Sequence, residues 1–389
     1  MSRPIFNFSE GLSVSGGATQ RGLVALLLSA IVLFSSTFAR ADILVGVAGP
    51  LTGPDSEFGA QIQKGAELAA ADINLSGGIN GEQIKIVLGD DVSDPKQGIS
   101  VANKFMADGV KFVIGHFSSG VSIPASDVYA ENGILMISPG STNPILTGRG
   151  LWNTFRTSSN DRRAAELAAE YISENYANKE VWIIHDGSES AKAITAVVRD
   201  ALSVVGRSAT RYSSFNDLSG SGANDKVVFY YGFEELPKVS MRLANASADG
   251  ELISLASPGF PLLTLDGRNA VDKMKMSGFV PDRYALQAYA AMQVLAKASE
   301  IAGSTETHGL AAALKAGTLF TTAIGDISFD ANGDNDKTEI AISKTPITAD
   351  WGIASAGVSR VCGTTCPASC NGTCPNGDPC CNVASFQVR

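Results

Sequence analysis

The chain has 389 residues, enough for two domains of ordinary size. Hydrophobic residues make up 44% of it and charged residues 18%, a globular composition that excludes a largely disordered chain. The formal net charge is −9, and no block of Lys and Arg interrupts it. We therefore expect no nucleic-acid partner, because an acidic surface repels phosphate backbones.

Residues 1–41 have the pattern of a secretory signal peptide. Arg3 and Arg21 precede an apolar run over 22–38, and the Ala-Arg-Ala sequence at 39–41 fits a small-residue cleavage site. The alternative is a transmembrane anchor, since the run is near the lower length limit of a membrane span. We expect removal of 1–41 on export and a mature chain in the periplasm.

From residue 42 onward, short apolar strands alternate with amphipathic helices. Strands are predicted near 43–47, 84–88, 112–114 and 134–137. The first helix between them carries these residues on one face: Ile62, Ala66, Ala69 and Ile73. The second, over 97–108, is predicted to bury these residues: Ile99, Ala102, Phe105 and Met106. The alternation indicates βαβ units and a mainly parallel sheet with both faces covered.

A second, less regular α/β series follows Arg156. Its strands are predicted at 181–184 and 227–231, and its helices near 164–174 and 191–205. A long helix over 284–302 comes next, and then a hairpin is predicted. The hairpin has a strand at 324–329, a turn at 332–334 and a return strand near 340–342, because Asn-Gly between such runs favours a tight turn.

All six cysteines lie in the C-terminal tail, between Cys362 and Cys381. Residues 352–389 show no apolar period, and we interpret them as a separate, Cys-rich appendage. Three interpretations stay open: local disulfides in an oxidising compartment, metal binding, or no role.

Many ordered motifs in the chain resemble those of the branched-chain amino-acid (Leu/Ile/Val) binding proteins of bacterial ABC importers. The matching segments include AGPLTGP at 48–54, AADIN at 70–74, GGING at 77–81, VIGH at 113–116, PASD at 124–127 and GILMISP at 133–139. The resemblance is dense over 42–161, patchier over 162–282, present again over 283–335 and absent from the tail.

The resemblance implies an α/β periplasmic binding protein fold with two lobes, each an open, mainly parallel sheet flanked by helices. Lobe 1 would comprise 42–160 and 283–335, and lobe 2 would comprise 161–282 and 336–351. The ligand would lie between the lobes, which agrees with the rule that ligands lie beyond the carboxyl ends of strands in open α/β sheets. Closure would occur about a hinge.

Two Ser/Thr-rich loops at predicted strand ends are candidates for binding a ligand carboxylate. Ser118 and Ser119 precede one helix, and Ser141 and Thr142 precede another, where hydroxyls and helix N-termini favour anions. The alternative is that these residues are helix caps. By resemblance, Ser119 and Thr142 match the family's carboxylate-binding hydroxyls, and Gly140 matches a residue that contacts ligand through its backbone.

An acidic and two aromatic residues are further candidates by resemblance. Asp161 matches an acidic position at the lobe junction, suited to a ligand ammonium, although a helix N-cap is an equal alternative. Phe58 and Phe233 match aromatic positions that would wall an apolar side-chain pocket. The main acidic partner that the family carries in lobe 2 has no secure counterpart. The substitutes weighed for it are Glu234, Glu235 and Asp266.

The sequence has no nucleophile elbow, H-E-x-x-H, P-loop or G-x-G-x-x-G motif, so we expect neither an enzyme nor a bound metal or cofactor. The expected function is an extracytoplasmic solute-binding protein that captures an amino acid, branched-chain or apolar, or a related small amide. It would act as a monomer and deliver the ligand to a membrane permease of an ABC importer. The alternatives are a ligand-sensing receptor subunit for a signalling partner and a decayed, non-binding paralogue.

Overall fold

The structure is a computed structural model that describes residues 42–214, 225–232, 236–256, 263–337, 340–349 and 357–361. The expected signal peptide, Phe233, Glu234, Glu235 and the six cysteines lie outside these residues. Within the described part of the chain, no helix combines the length and the apolar composition that a membrane crossing requires.

The first sheet has five parallel strands in the order β2-β1-β3-β4-β5. Their bounds are β1 Ile43–Gly49, β2 Ile84–Asp90, β3 Phe112–Ile114, β4 Leu135–Ser138 and β5 Thr154–Arg156. The helices between them are α1 Ser56–Leu75, α2 Pro95–Ala107, α3 Ser119–Glu131 and α4 Ile145–Gly148. Val45, Val47 and Ile114 have no exposed surface, because helices cover both faces of the sheet.

The second sheet begins with four parallel strands. Their bounds are β6 Glu180–His185, β7 Arg211–Ser214, β8 Lys226–Tyr231 and β9 Gly250–Ala256. The helices of this part are α5 Asp161–Asn175, α6 Glu189–Val204 and α7 Leu236–Asn245. A separate apolar core lies beneath this sheet, with Ile183 and Phe229 fully buried in it. The two-lobed α/β architecture is thus confirmed.

After β9 the chain returns to the first core. The returning elements are α8 Leu265–Met276, α9 Arg283–Ala302, α10 Thr307–Leu314, β10 Phe320–Thr322 and β11 Gly325–Ile327. Ala270 and Met274 of α8 pack in the core of the first sheet. The expected assignment of residues up to 282 to lobe 2 is therefore wrong for α8, because its apolar face is buried against lobe 1.

The last strands complete the second sheet. β12 (Ile340–Pro346) pairs antiparallel with β9, and β13 (Gly357–Val361) pairs antiparallel with β12. The sheet order is β13-β12-β9-β8-β6-β7. Part of the expected appendage at 352–389 is therefore an edge strand of lobe 2.

The predicted hairpin is wrong in its return strand. The hairpin that forms joins β10 and β11, and Phe329 and Asn335 make a single bridge around the predicted turn. The segment at 340–346 instead extends the second sheet, where β12 aligns six residues with β9. A longer ladder of backbone hydrogen bonds outweighs the local turn signal.

Candidate functional site

The predicted hydroxyls lie together at the carboxyl edge of the first sheet. Ile114 of β3 pairs with Ile137 of β4, so the loops that follow these strands leave the sheet side by side. Ser119 begins α3, and its Oγ accepts a hydrogen bond from the backbone N–H of Asn143 at 3.2 Å. This bond joins the two Ser/Thr-rich loops.

The structure separates side chains that face outward from those that support the loops. Ser118, Ser119 and Thr142 are partly exposed, and Ser118 is the N-cap of α3 without a capping hydrogen bond from its side chain. Ser141 is fully buried, and its Oγ lies 2.5 Å from Ser122 Oγ. Its backbone is also engaged within the protein, since the N–H donates to Ser138 Oγ at 3.0 Å and the carbonyl oxygen accepts from Ser158 Oγ at 2.8 Å. Ser141 therefore supports the loop. A Cβ on Gly140 would lie 2.9 Å from the carbonyl oxygen of Phe117, so that position requires glycine.

A buried arginine holds the second loop from behind. Arg156 has no exposed surface and donates from Nε to Asp334 Oδ1 at 2.6 Å. It also donates to the carbonyl oxygens of Ser141 and Asn143, each at 3.0 Å, on both sides of Thr142. Burial lowers the pKa of Arg156, and the charge of Asp334 opposes that shift. The sequence analysis missed this residue, since Arg156 and Asp334 lie far apart in the chain.

A second buried network lies behind the first loop. His116 Nδ1 lies 2.6 Å from Asp91 Oδ2, and its Nε2 lies 2.9 Å from the hydroxyl of Tyr129. The carbonyl oxygen of His116 accepts a hydrogen bond from Ser138 Oγ at 2.9 Å. Burial raises the pKa of Tyr129, so its hydroxyl stays protonated. These contacts fix the chain directly before Phe117, Ser118 and Ser119.

We call Ser119, Thr142 and the backbone at the start of α3 the cradle. Asp161 lies beside it. Its N–H donates to the carbonyl oxygen of Thr142 at 2.9 Å, and the Thr142 hydroxyl donates to its carboxylate. Burial raises the pKa of Asp161, while that hydrogen bond and the charges of Arg156 and Arg283 oppose the shift. Asn160 is the N-cap of α5, so the N-cap interpretation of Asp161 is wrong.

Three aromatic rings form a wall next to the cradle. Phe58 stacks on Phe117 with ring centroids 4.5 Å apart, and Tyr284 packs edge-on against both, at 5.6 Å and 5.1 Å. We call these three residues the aromatic wall. The sequence analysis identified only Phe58. Asp266, considered as an ammonium partner, lies elsewhere. Its negative charge contributes to the raised pKa of Tyr289, whose hydroxyl donates to Asp72 on α1.

Lobe 2 presents its own carboxyl edge to this region. Tyr231 ends β8 and pairs in register with His185, so Asp186 follows at the same edge. Burial and the negative charge of Asp161 raise the pKa of Tyr231 to about 12, and Arg283 opposes that shift. Arg283 begins a helix that packs in lobe 1, so its electrostatic interaction with Tyr231 indicates that the two lobes lie close together here. We call this region, from the cradle to Tyr231, the candidate cleft.

Among the residues that the structure describes, no three His, Cys, Asp or Glu side chains are grouped as ligands of a metal ion. The candidate cleft instead offers hydroxyls, a carboxylate, a guanidinium and aromatic rings. Groups of this kind can bind a small polar solute.

Two sheets, with polar loops facing each other at their carboxyl edges, define a two-lobed solute-binding protein. The family model of the periplasmic binding proteins matches residues 42–211. The Leu/Ile/Val-binding protein homolog 1 of Brucella suis biovar 1 is 43% identical over 340 residues, which cover 79% of this chain and 91% of that protein. The chain belongs to the Leu/Ile/Val-binding protein family of periplasmic binding proteins, which confirms the resemblance seen in the sequence.

Solved structures share the fold. The ABC transporter substrate-binding protein of Desulfitobacterium hafniense in complex with Leu superposes with a TM-score of 0.63 at 24% identity, covering 78% of this chain and 97% of that one. The branched-chain amino acid transporter substrate-binding protein LivJ of Streptococcus pneumoniae, in complex with isoleucine, gives a TM-score of 0.64 at 21% identity, covering 82% and 99%.

Proposed function

We propose that this protein captures a free amino acid between its lobes in the periplasm and delivers it, as a monomer, to the permease of an ABC importer. The observation that carries the proposal is the adjacency of an anion cradle and a carboxylate. Thr142 belongs to both, because its loop is bonded to Ser119 and its hydroxyl to Asp161. A cradle that favours an anion, next to a carboxylate that favours a cation, suits a zwitterion.

The ligand would bind by its two charged ends. Its α-carboxylate would accept hydrogen bonds from Ser119 Oγ and from the backbone N–H groups at the start of α3, where the helix dipole favours negative charge. Thr142 Oγ would donate to it as well, once the ammonium takes the place of that hydroxyl at Asp161 and its single proton turns to the ligand. Its ammonium would donate to Asp161. Burial disfavours the charged form of Asp161 and so raises its pKa. The positive charge of an arriving ammonium would stabilise that charged form.

The side chain would pack on the aromatic wall, and the lobes would close over it. Tyr231 and Asp186 at the lobe 2 edge would then cover the ligand. Because binding and release involve no covalent step, they require no catalytic motif. We propose no catalytic activity. The relatives named for Leu, Ile and Val binding, and the exported location of the family, support this proposal.

Calorimetric titration of the purified protein tests the proposal, after unfolding and refolding to remove any retained ligand. We expect at least one member of a panel of amino acids and small amides to bind. Ser119→Ala and Thr142→Val should each weaken that ligand by about 1–3 kcal/mol, since each removes one hydrogen bond to a charged group. Ser203→Ala is the matched control, because Ser203 is exposed on α6.

Two results would count against the proposal. One is a panel without any binding ligand. The other is an unchanged dissociation constant in both Ser119→Ala and Thr142→Val, which would mean that the ligand lies outside the candidate cleft.

A further inference from the structure

Arg283 is a cleft residue with no assigned role in the binding scheme above. It is the first residue of α9, directly after Asp282, whose carboxylate caps the helix by accepting from the N–H of Tyr284 at 2.7 Å. The guanidinium carbon lies 4.6 Å from the centre of the Tyr284 ring, and Nη2 donates to the Tyr284 hydroxyl at 2.5 Å. The cation therefore lies on the aromatic wall.

The charge of Arg283, which begins a helix of lobe 1, also acts on groups of lobe 2. It opposes the upward pKa shifts of Asp161 at the cradle and of Tyr231 at the lobe 2 edge. Burial works against the charged form of Arg283, but Tyr284, Tyr231 and Asp282 together raise its pKa. The side chain remains exposed to solvent although these groups surround it. A solvent-accessible cation thus lies where the two lobes meet.

We propose that Arg283 contacts the ligand, and that the preferred ligand has a side chain ending in an oxygen acceptor, either a carboxylate or a carboxamide. This inference rests on the proposed function, in which the cradle holds the α-carboxylate and Asp161 holds the ammonium. The side chain then runs along Phe58, Phe117 and Tyr284 and ends at the guanidinium. Methylene groups match the rings, and a terminal oxygen matches the N–H donors of the guanidinium.

Closure of the lobes gives this arrangement its selectivity. Water leaves the cleft as the lobes close, so the guanidinium loses hydration that a ligand oxygen replaces and an aliphatic group does not. A site that hydrogen-bonds a ligand group discriminates strongly against the analogue that lacks it. The aromatic wall by itself would hold either side chain with similar strength, and Arg283 makes the difference.

The test compares glutamate, glutamine and norleucine, three straight-chain amino acids of similar length, by calorimetric titration. The unmodified protein should bind glutamate or glutamine about tenfold or more tightly than norleucine. Arg283→Met keeps the length of the side chain and removes its donors. It should weaken the oxygen-bearing ligand about 10- to 100-fold and leave norleucine within about threefold. Arg283→Lys, which keeps the charge, should fall between the two.

Arg199→Met is the matched control. Arg199 is exposed on α6, and its guanidinium also lies over a tyrosine ring, that of Tyr212, at 5.1 Å. It should leave all three dissociation constants unchanged.

Three outcomes separate the inference from the proposed function. Tighter binding of norleucine or leucine by the unmodified protein would overturn the inference and keep the proposed function. Equal weakening of all three ligands by Arg283→Met would also overturn it, because the residue would then not select the side chain. Failure of every amino acid to bind the unmodified protein would overturn the proposed function itself.

Discussion

The guanidinium of Arg156 is the group whose removal should loosen the cradle most. Arg156→Met keeps most of the length of the side chain and removes four donated hydrogen bonds, two of them to the backbone carbonyls that flank Thr142. The variant should therefore lose stability and also ligand affinity, because the loop that carries the Thr142 hydroxyl loses its support.

The contacts of Arg156 give the magnitude of the loss. Removing one member of a buried ion pair costs about 3–5 kcal/mol. Asp334 is 16% exposed at its side chain and keeps hydrogen bonds from Asn160 at 2.6 Å and Thr147 at 2.8 Å, so the lower end of that range applies. The Asn143 carbonyl oxygen, left without its donor, adds about 1 kcal/mol, whereas that of Ser141 keeps a hydrogen bond from Ser158 Oγ at 2.8 Å. We expect the free energy of unfolding to fall by about 4 kcal/mol in total.

Urea unfolding, monitored by tryptophan fluorescence, measures this loss. The signal reports on both lobes, since Trp152 lies in lobe 1 and Trp182 in lobe 2. Asp334→Asn is the matched variant: it keeps an acceptor oxygen and the hydrogen bonds of Arg156 to the two carbonyls, but it leaves the fully buried Arg156 cation without its partner charge, so it should also cost about 3–5 kcal/mol. A loss below about 1 kcal/mol for Arg156→Met, the size of an ordinary substitution, would refute the reasoning.

Three further predictions concern titration, a buried hydrogen bond and helix packing. Ligand affinity should fall as the pH drops through the raised pKa of Asp161, from above the ordinary carboxyl value of about 3.9, because protonation removes the charge that holds the ammonium. Asp161→Asn should abolish that slope in titrations at several pH values, and a slope that persists would implicate another group. Tyr129→Phe should cost about 1–3 kcal/mol in urea unfolding, because it leaves the buried Nε2 of His116 without its partner at 2.9 Å; an unchanged midpoint would contradict this. Gly65→Ala should destabilise by about 1–3 kcal/mol, since its Cβ would lie 1.9 Å from a carbonyl oxygen of α9. Gly148→Ala, which meets open space, is its control, and equal unfolding midpoints would show that α1 and α9 separate at little cost.

The periodicity of the sequence predicted the positions of the helices better than the face that each helix buries. Ile62 and Ala66 lie on the buried face of α1, as expected. On α2, Ile99 and Met106 were expected to be buried but are 37% and 43% exposed. The ring of Phe105 decides the rotation of α2, because it lies over Gly46 of β1 and Gly89 of β2, where a Cβ would come within 2.6 Å and 2.7 Å of atoms of the ring. No pattern within the helix records that contact.

The residues of the candidate site were also only partly predictable from the sequence. Strand ends followed by Ser118, Ser119 and Thr142 were visible in the sequence, because short polar residues at the start of a helix are a local signal. Asp161 was ambiguous, and only the N-cap role of the preceding Asn160 separates the two interpretations. Phe117 and Tyr284 were missed as binding residues, since an aromatic side chain is equally suited to a core.

The sequence by itself determined the α/β class, the repeated order of strands and helices, and the strand ends at which polar loops gather. Those features depend on residues within a few positions of each other. Only the tertiary structure decided that Arg156 supports the cradle, that α8 belongs to lobe 1, and that the charge of Arg283 acts on Asp161 and Tyr231. Each of these contacts joins residues far apart in the chain, and packing, which no local pattern encodes, brings them together.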